Sequence, residues 1–188
     1  MKTVDPEVDA KTVTIREARQ DELDDVATLI LESFGEFENE FPRAVWEAAV
    51  AEWADVRGRL DEAQLIVAEQ GGRIVGSVTF YPEAAHSRTE SWPAGWAAIR
   101  IFCVHPSARG SGIGRMLTDE CLRRASAGGV PTIALKTGQF MVAARALYER
   151  AGFVRDSSLD HGWTGGGFVE TGTAGTVHAL AYRYDFDN

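Results

Sequence analysis

The chain has 188 residues, 45% of them apolar and 25% charged, with 19 glycines and 6 prolines. That composition fits one globular domain with one core and excludes a fibre, a linker or a coiled coil. Nineteen basic against 28 acidic side chains give a net charge of -9, which argues against a nucleic-acid partner held by a broad basic face.

No apolar run approaches the ~18 residues of a membrane helix, and the N-terminus lacks the apolar stretch of a signal peptide. The expectation is a cytoplasmic protein with no membrane partner. Cys103 and Cys121 cannot make a disulfide framework or a four-ligand zinc site, and neither CxxC nor HExxH occurs, so no metal is expected and both thiols read as reduced core residues. The charge is uneven: residues 1–60 hold 7 basic and 15 acidic side chains, whereas residues 100–155 hold nine basic and three acidic ones. A small anion bound along the basic segment is therefore allowed.

In chain order, a polar tail over residues 1–11, expected to be flexible, precedes a short strand, Val13–Arg16. Asp21 then reads as the cap of a helix carrying Leu23, Val26, Ile30 and Leu31 at helical spacing. A second helix is predicted from Arg43 to Leu60, with Val45, Ala49, Trp53, Val56 and Leu60 on one face. Gln64–Gln70 and Arg73–Tyr81 form a hairpin about Gly71-Gly72. After a loop over 82–95, the apolar run Trp96–Val104 is a central strand stopped by His105-Pro106. Helices follow at Ile113–Ala127 and Val142–Arg150, ended by Gly128-Gly129 and Gly152. Between them lies a buried strand, Thr132–Lys136. A short strand near Phe153, a Gly-rich stretch over 162–175 and a last strand, Val177–Phe186, complete one α/β domain over 1–188 with a mixed sheet.

The chemistry-bearing segment runs from Val104 to Arg115. A strand ends, a turn holding Gly110, Gly112 and Gly114 follows, and a helix begins inside it. Glycines let the main chain approach an anion, and the unpaired N–H groups of a helix start point at it with the positive end of the dipole. Arg109 and Arg115 would add charge at the rim of this pyrophosphate cradle. A Rossmann fingerprint needs GxGxxG after the first strand, whereas this turn reads GxGxG after the fourth; the Walker GxxxxGK pattern is absent. A plain strand-to-helix turn is the alternative.

Here the sequence resembles the GNAT superfamily of acyl-CoA-dependent N-acyltransferases. Arg109, Gly112 and Gly114 match that family's Arg/Gln-x-x-Gly-x-Gly/Ala signature, and Ala144 to Phe153 is similar to its Ala-x-x-Leu-Tyr-x-x-x-Gly-Phe segment. The opening Ile15-Arg16-Glu17-Ala18 before an acidic helix is also typical, so the resemblance covers about residues 13–155. It implies a mixed, mostly antiparallel sheet of six to seven strands flanked by about four helices. It also implies acetyl-CoA as the acyl donor. Main-chain groups of Phe102, Cys103 and Val104 would pair with the pantetheine arm, and the N–H groups of Arg109, Gly110, Ser111, Gly112, Ile113 and Gly114 would hold the pyrophosphate. Tyr148 would protonate the leaving thiolate.

Two positions depart from the family. Met141 stands beside the cofactor arm where many members have an asparagine, and Lys136 occupies a position where some carry a catalytic glutamate; a glutamate near Ala98 is also absent. The base is therefore unassigned among a water chain, Glu36, Glu38, His161 and His178. The implied reaction is direct attack by a neutral primary amine on the thioester, with main-chain N–H groups stabilising the oxyanion and no covalent enzyme intermediate. Cys103 has no histidine dyad to make it a nucleophile.

The acceptor would be a small-molecule or peptide amine bound by Phe34 to Phe41, Trp46 and the loop His161–Phe168. Alternating acids and aromatic rings there suit a cationic amine. The Gly-rich loop reads as a lid or a long hairpin turn. A homodimer is left open, and a non-catalytic acyl-CoA-binding or regulatory module is the alternative reading.

Overall fold

The computed structural model describes residues 12–87, 92–164 and 167–187; the polar tail 1–11 lies outside them. The strands are β1 (Val13–Glu17), β2 (Gln64–Gln70), β3 (Arg73–Tyr81), β4 (Ala97–Val104), β5 (Thr132–Gly138), β6 (Val154–Arg155), β7 (His161–Trp163), β8 (Phe168–Val169) and β9 (Val177–Asp185). The α-helices are α1 (Leu23–Phe34), α2 (Arg43–Ala54), α3 (Ile113–Ala127) and α4 (Val142–Arg150).

All strands join one sheet in the order β1-β2-β3-β4-β5-β9-β7-β8, with β6 also on β9. Every pairing is antiparallel except β4 with β5, which α3 connects as a crossover. The mixed, mostly antiparallel sheet and the four helices agree with expectation. Nine strands form among the described residues rather than six or seven, because His161–Trp163 and Phe168–Val169 pair as β7 and β8, with Gly162 opposite Val169.

The period-two alternation of β2 divides the core. Ile66 and Ala68 face α3 and α4, packing with Ile113, Leu117, Cys121 and Tyr148, while Leu65 and Val67 face α1 and α2, packing with Leu23, Ile30, Val45 and Trp53. Ile113, Leu117, Cys121 and Ala125 recur every four residues along α3 and are at most 1% exposed. Full burial of an Ile or Leu side chain contributes about 1.5–3 kcal/mol, so this stripe fixes α3 on the sheet and its first turn at the end of β4.

Two boundaries differ from the sequence reading. Helix α2 stops at Ala54 instead of Leu60, because the buried Arg59 guanidinium donates to the carbonyls of Glu52, Trp53 and Asp55 at its C-terminal end. Val56 still packs in the α1–α2 core, and Leu60 lies against it. Asp21 is not the cap of α1. Glu22 instead accepts the main-chain N–H of Arg19 and pairs with Arg16, tying the helix entry to β1.

Candidate active site

The site follows from how β4 and β5 part. Only Ala97, Ala98 and Ile99 pair with β5, opposite Ile133, Ala134 and Leu135. Beyond them the strands diverge. On its other side β4 pairs Arg100 with Thr79 and Cys103 with Ser77, so Ile101 and Phe102 have no partner in either ladder. This is a β-bulge. At its centre Ile101 has φ 48°, a left-handed conformation that a β-branched residue adopts only under strain.

On one side of the divergence is a groove of about 660 Å³. Phe102, Cys103, Val104, Arg109, Gly110, Gly112, Ile113, Gly114, Arg115 and Met141, all singled out in the sequence, line it. Ser111 does not; its hydroxyl donates to the Ala108 carbonyl at 2.6 Å. Gly112 is the N-cap of α3 with φ 88°, and a Cβ there would meet nothing within 4 Å, so the turn needs its backbone angle and leaves the groove open beside it. Gly114 lies close against α4: a Cβ there would be 3.1 Å from Leu147 Cδ2, so that side chain would have to shift by a few tenths of an ångström. Among the described residues, the main-chain N–H groups of 110 to 115 find no acceptor, the arrangement that suits an anion at a helix start.

The arginines expected at the rim are engaged within the chain. Arg109 donates to the carbonyls of Val104 and Ser33 and pairs with Glu36 at 2.5 Å. It thereby straps the end of β4 to the end of α1. Arg115 contacts both carboxylate oxygens of Asp119, at 2.8 and 2.9 Å.

A smaller cavity of about 100 Å³ adjoins the groove, sharing Phe34, Phe102, Phe140, Met141 and Ala144 with it. Trp53, Phe41, Trp163 and Phe168 also border it, as do Arg100, Lys136, Thr137 and Tyr148. The rings brace one another: Phe34 stacks on Trp53 at 4.5 Å and Trp53 on Trp163 at 5.5 Å, with Phe41 edge-on to both tryptophans. Trp46, expected in the wall, packs behind it on Phe41 and Trp53. Gly165 and Gly166, in the expected lid, lie outside the described residues; the segments flanking them form the hairpin turn.

Tyr148 is 4% exposed, packs edge-on to Phe102 and makes no hydrogen bond through its hydroxyl among the described residues. Burial pushes its phenol above the usual value, so it keeps its proton throughout the neutral range and can donate but not act as a base. Burial also raises the Cys103 thiol, with Ser77 opposing the shift, which makes it an inert wall group.

None of the four side chains considered as bases borders the smaller cavity. Glu36 is held by Arg109, His178 Nε2 lies 3.2 Å from Asp160, and His161 Nδ1 contacts the Leu159 carbonyl at 2.9 Å. Glu38 borders neither space. The sequence reading missed Trp53 and Phe140. Trp53 was visible only as one member of a helix's apolar face, and Phe140 carried no signal. The cavity's charged lining, Arg100 and Lys136, also differs from the acidic wall expected, because the acids of residues 35–40 lie outside it; Arg100 is itself paired with Glu52 at 3.3 Å.

Residues 23–153 match the model of the Acetyltransferase (GNAT) family. A mycothiol acetyltransferase of Geodermatophilus obscurus is 29% identical over 118 residues, 63% of this chain but only 37% of that protein. The chain thus spans about a third of the length of that curated relative. Among solved structures, PaiA N-acetyltransferase of Thermoplasma acidophilum in complex with coenzyme A superposes with a TM-score of 0.67 at 14% identity, covering 92% of this chain and 99% of that one. The ribosomal-protein-S18-alanine N-acetyltransferase of Escherichia coli gives 0.65 at 17% identity, over 94% and 96%. These structural likenesses show the fold. With the family match across most of its length, the chain belongs to the GNAT acetyltransferase family.

Proposed function

We propose that the chain is an N-acetyltransferase that moves the acetyl group of acetyl-CoA to a primary amine by direct attack. The observation that carries this reading is the joining of two unlike spaces at one bulged strand: a groove walled by a helix start with unpaired N–H groups, and a cavity containing a buried phenol.

In this reading the N–H groups of residues 110–114 hold the pyrophosphate, the expected Arg109 N–H being engaged instead by the Pro106 carbonyl, while Phe102, Cys103 and Val104 guide the pantetheine arm, with Met141 against it. The thioester then sits near Phe102, where main-chain N–H groups at the bulge stabilise the oxyanion. The amine nitrogen bonds to the carbonyl carbon, the C–S bond breaks, and Tyr148 gives its proton to the departing thiolate. Water takes the amine proton, since no carboxylate borders the cavity among the described residues.

The acceptor is an amine of a small molecule or peptide with an apolar or aromatic body, fitting the rings around Trp53 and Trp163. The charged groups lining the cavity, Arg100 and Lys136, disfavour a second cationic group on the acceptor within it. The whole chain acts as one domain. A cytoplasmic setting is supported by two free, buried cysteines.

Thiol release from acetyl-CoA, followed with a panel of alkyl, arylalkyl and peptide amines, tests the proposal. Amine-dependent release supports it. Saturable acetyl-CoA binding with no release across the panel favours the alternative, a non-catalytic acyl-CoA-binding module, for which the missing carboxylate speaks.

A further inference from the structure

The groove between α3 and α4 keeps one basic side chain in reserve. Arg109 and Arg115 line it but are bound within the chain, to Glu36 and Asp119. Arg150 also lines it, is exposed, and makes no side-chain hydrogen bond or ion pair among the described residues. A basic residue in a helix's last turn is ordinarily explained by the dipole or by bonds to the terminal carbonyls. The Arg150 guanidinium makes no such bond; the C-terminal carbonyls of α4 are taken by the main-chain N–H groups of Ala151, Gly152 and Phe153.

Position supplies the other half. Val142, Ala143, Ala144, Leu147 and Arg150 form the face of α4 that walls the groove. Leu147 touches Gly114 in the first turn of α3, beside the N–H cradle. Arg150 stands three residues further along α4, about 4.5 Å, and lines the same groove beside the cradle. The neighbouring acids are occupied elsewhere: Asp119 by Arg115, and Glu149 by the Tyr182 hydroxyl.

We propose that Arg150 is a specificity-determining residue that holds a second phosphate of the donor, the monoester on its ribose, and so distinguishes coenzyme A thioesters from those lacking that group. This rests on the acyl-CoA reading of the groove. A planar guanidinium matches a phosphate monoester in geometry, and the dianion strengthens the contact. The site is exposed, so solvent and salt weaken the attraction.

The test is calorimetric binding of acetyl-CoA and of acetyl-3′-dephospho-CoA to the full chain and to Arg150→Gln and Arg150→Lys. The wild type should bind acetyl-CoA about tenfold more tightly than the dephospho compound. Arg150→Gln should bring the two within about twofold by weakening acetyl-CoA alone, with Arg150→Lys in between. The wild-type preference should also shrink as salt rises. Equal binding of both compounds by the wild type, or an undiminished preference in Arg150→Gln, overturns the assignment. Failure of both compounds to bind the folded wild type overturns the acyl-CoA reading itself, and this assignment with it.

Discussion

On the α3 side of the parting between β4 and β5, a glycine turn whose N–H groups at 110 to 115 find no acceptor among the described residues stands among larger side chains, Phe102, Met141 and Leu147. On the other side the walls are large side chains drawn from α1, α2, β4, β7, β8 and α4, with Phe34, Trp53, Trp163 and Tyr148 meeting around one cavity. A main-chain site needs glycines at fixed spacing and tolerates change elsewhere. The cavity rings Phe34, Phe41 and Trp53 are also buried core of the α1–α2 side. Under the proposed function the groove would take the acyl donor and the cavity the acceptor.

The comparison can be broken most sharply at Tyr148, which faces the junction. Tyr148→Phe should lower kcat by about 10²-fold, the lower range for a general acid, with acetyl-CoA affinity within about twofold of wild type. Turnover of the variant at the wild-type rate would remove the phenol from the chemistry. Trp163→Ala acts on the cavity alone. Loss of one aromatic wall should raise KM for the best amine about tenfold and leave acetyl-CoA binding unchanged; a parallel loss of both affinities would show that the two spaces are not separable.

The smallest expected effect lies away from both spaces. Arg16 holds the Glu22 carboxyl down at about 2, with burial opposing it and the Arg19 N–H assisting. Because the folded value is below the ordinary ~4.3, Glu22 stabilises the fold above about pH 4.3, and that contribution fades as pH falls towards 2. Glu22→Gln should cost about 2 kcal/mol at pH 7 and about half as much at pH 3, measured by urea unfolding. An equal cost at both pH values would show that charge is not the cause.

The groove was legible because its requirements are local. A strand end, three glycines at alternate positions and an apolar helical stripe appear within 22 residues, Val104 to Ala125, and each is enforced by a nearby cause: φ at Gly112, and the approach of Leu147 at Gly114. The order of elements gave the mixed sheet for the same reason. The cavity was only half legible. Phe34, Phe41, Trp163 and Phe168 stood out as aromatic clusters in segments without strong periodicity, whereas Trp53 was hidden in a helix stripe that reads as plain core. The engagement of Arg109 with Ser33 depends on a contact across 76 residues, and the strained bulge at Ile101 has no local signature in an otherwise uniform apolar strand. Arg59, which ends α2 early, acts through three carbonyls that no residue pattern announces.

The central claim, that the α3 turn is an acyl-CoA cradle, is tested most directly by titrating acetyl-CoA into the folded chain and into Gly112→Trp, with circular dichroism confirming that the variant folds. The account predicts saturable binding to one site on the wild type, weakened at least about 100-fold in the variant, which places a bulky side chain at a residue lining the groove. No saturable binding to the wild type, or equal affinity in the folded variant, would contradict it.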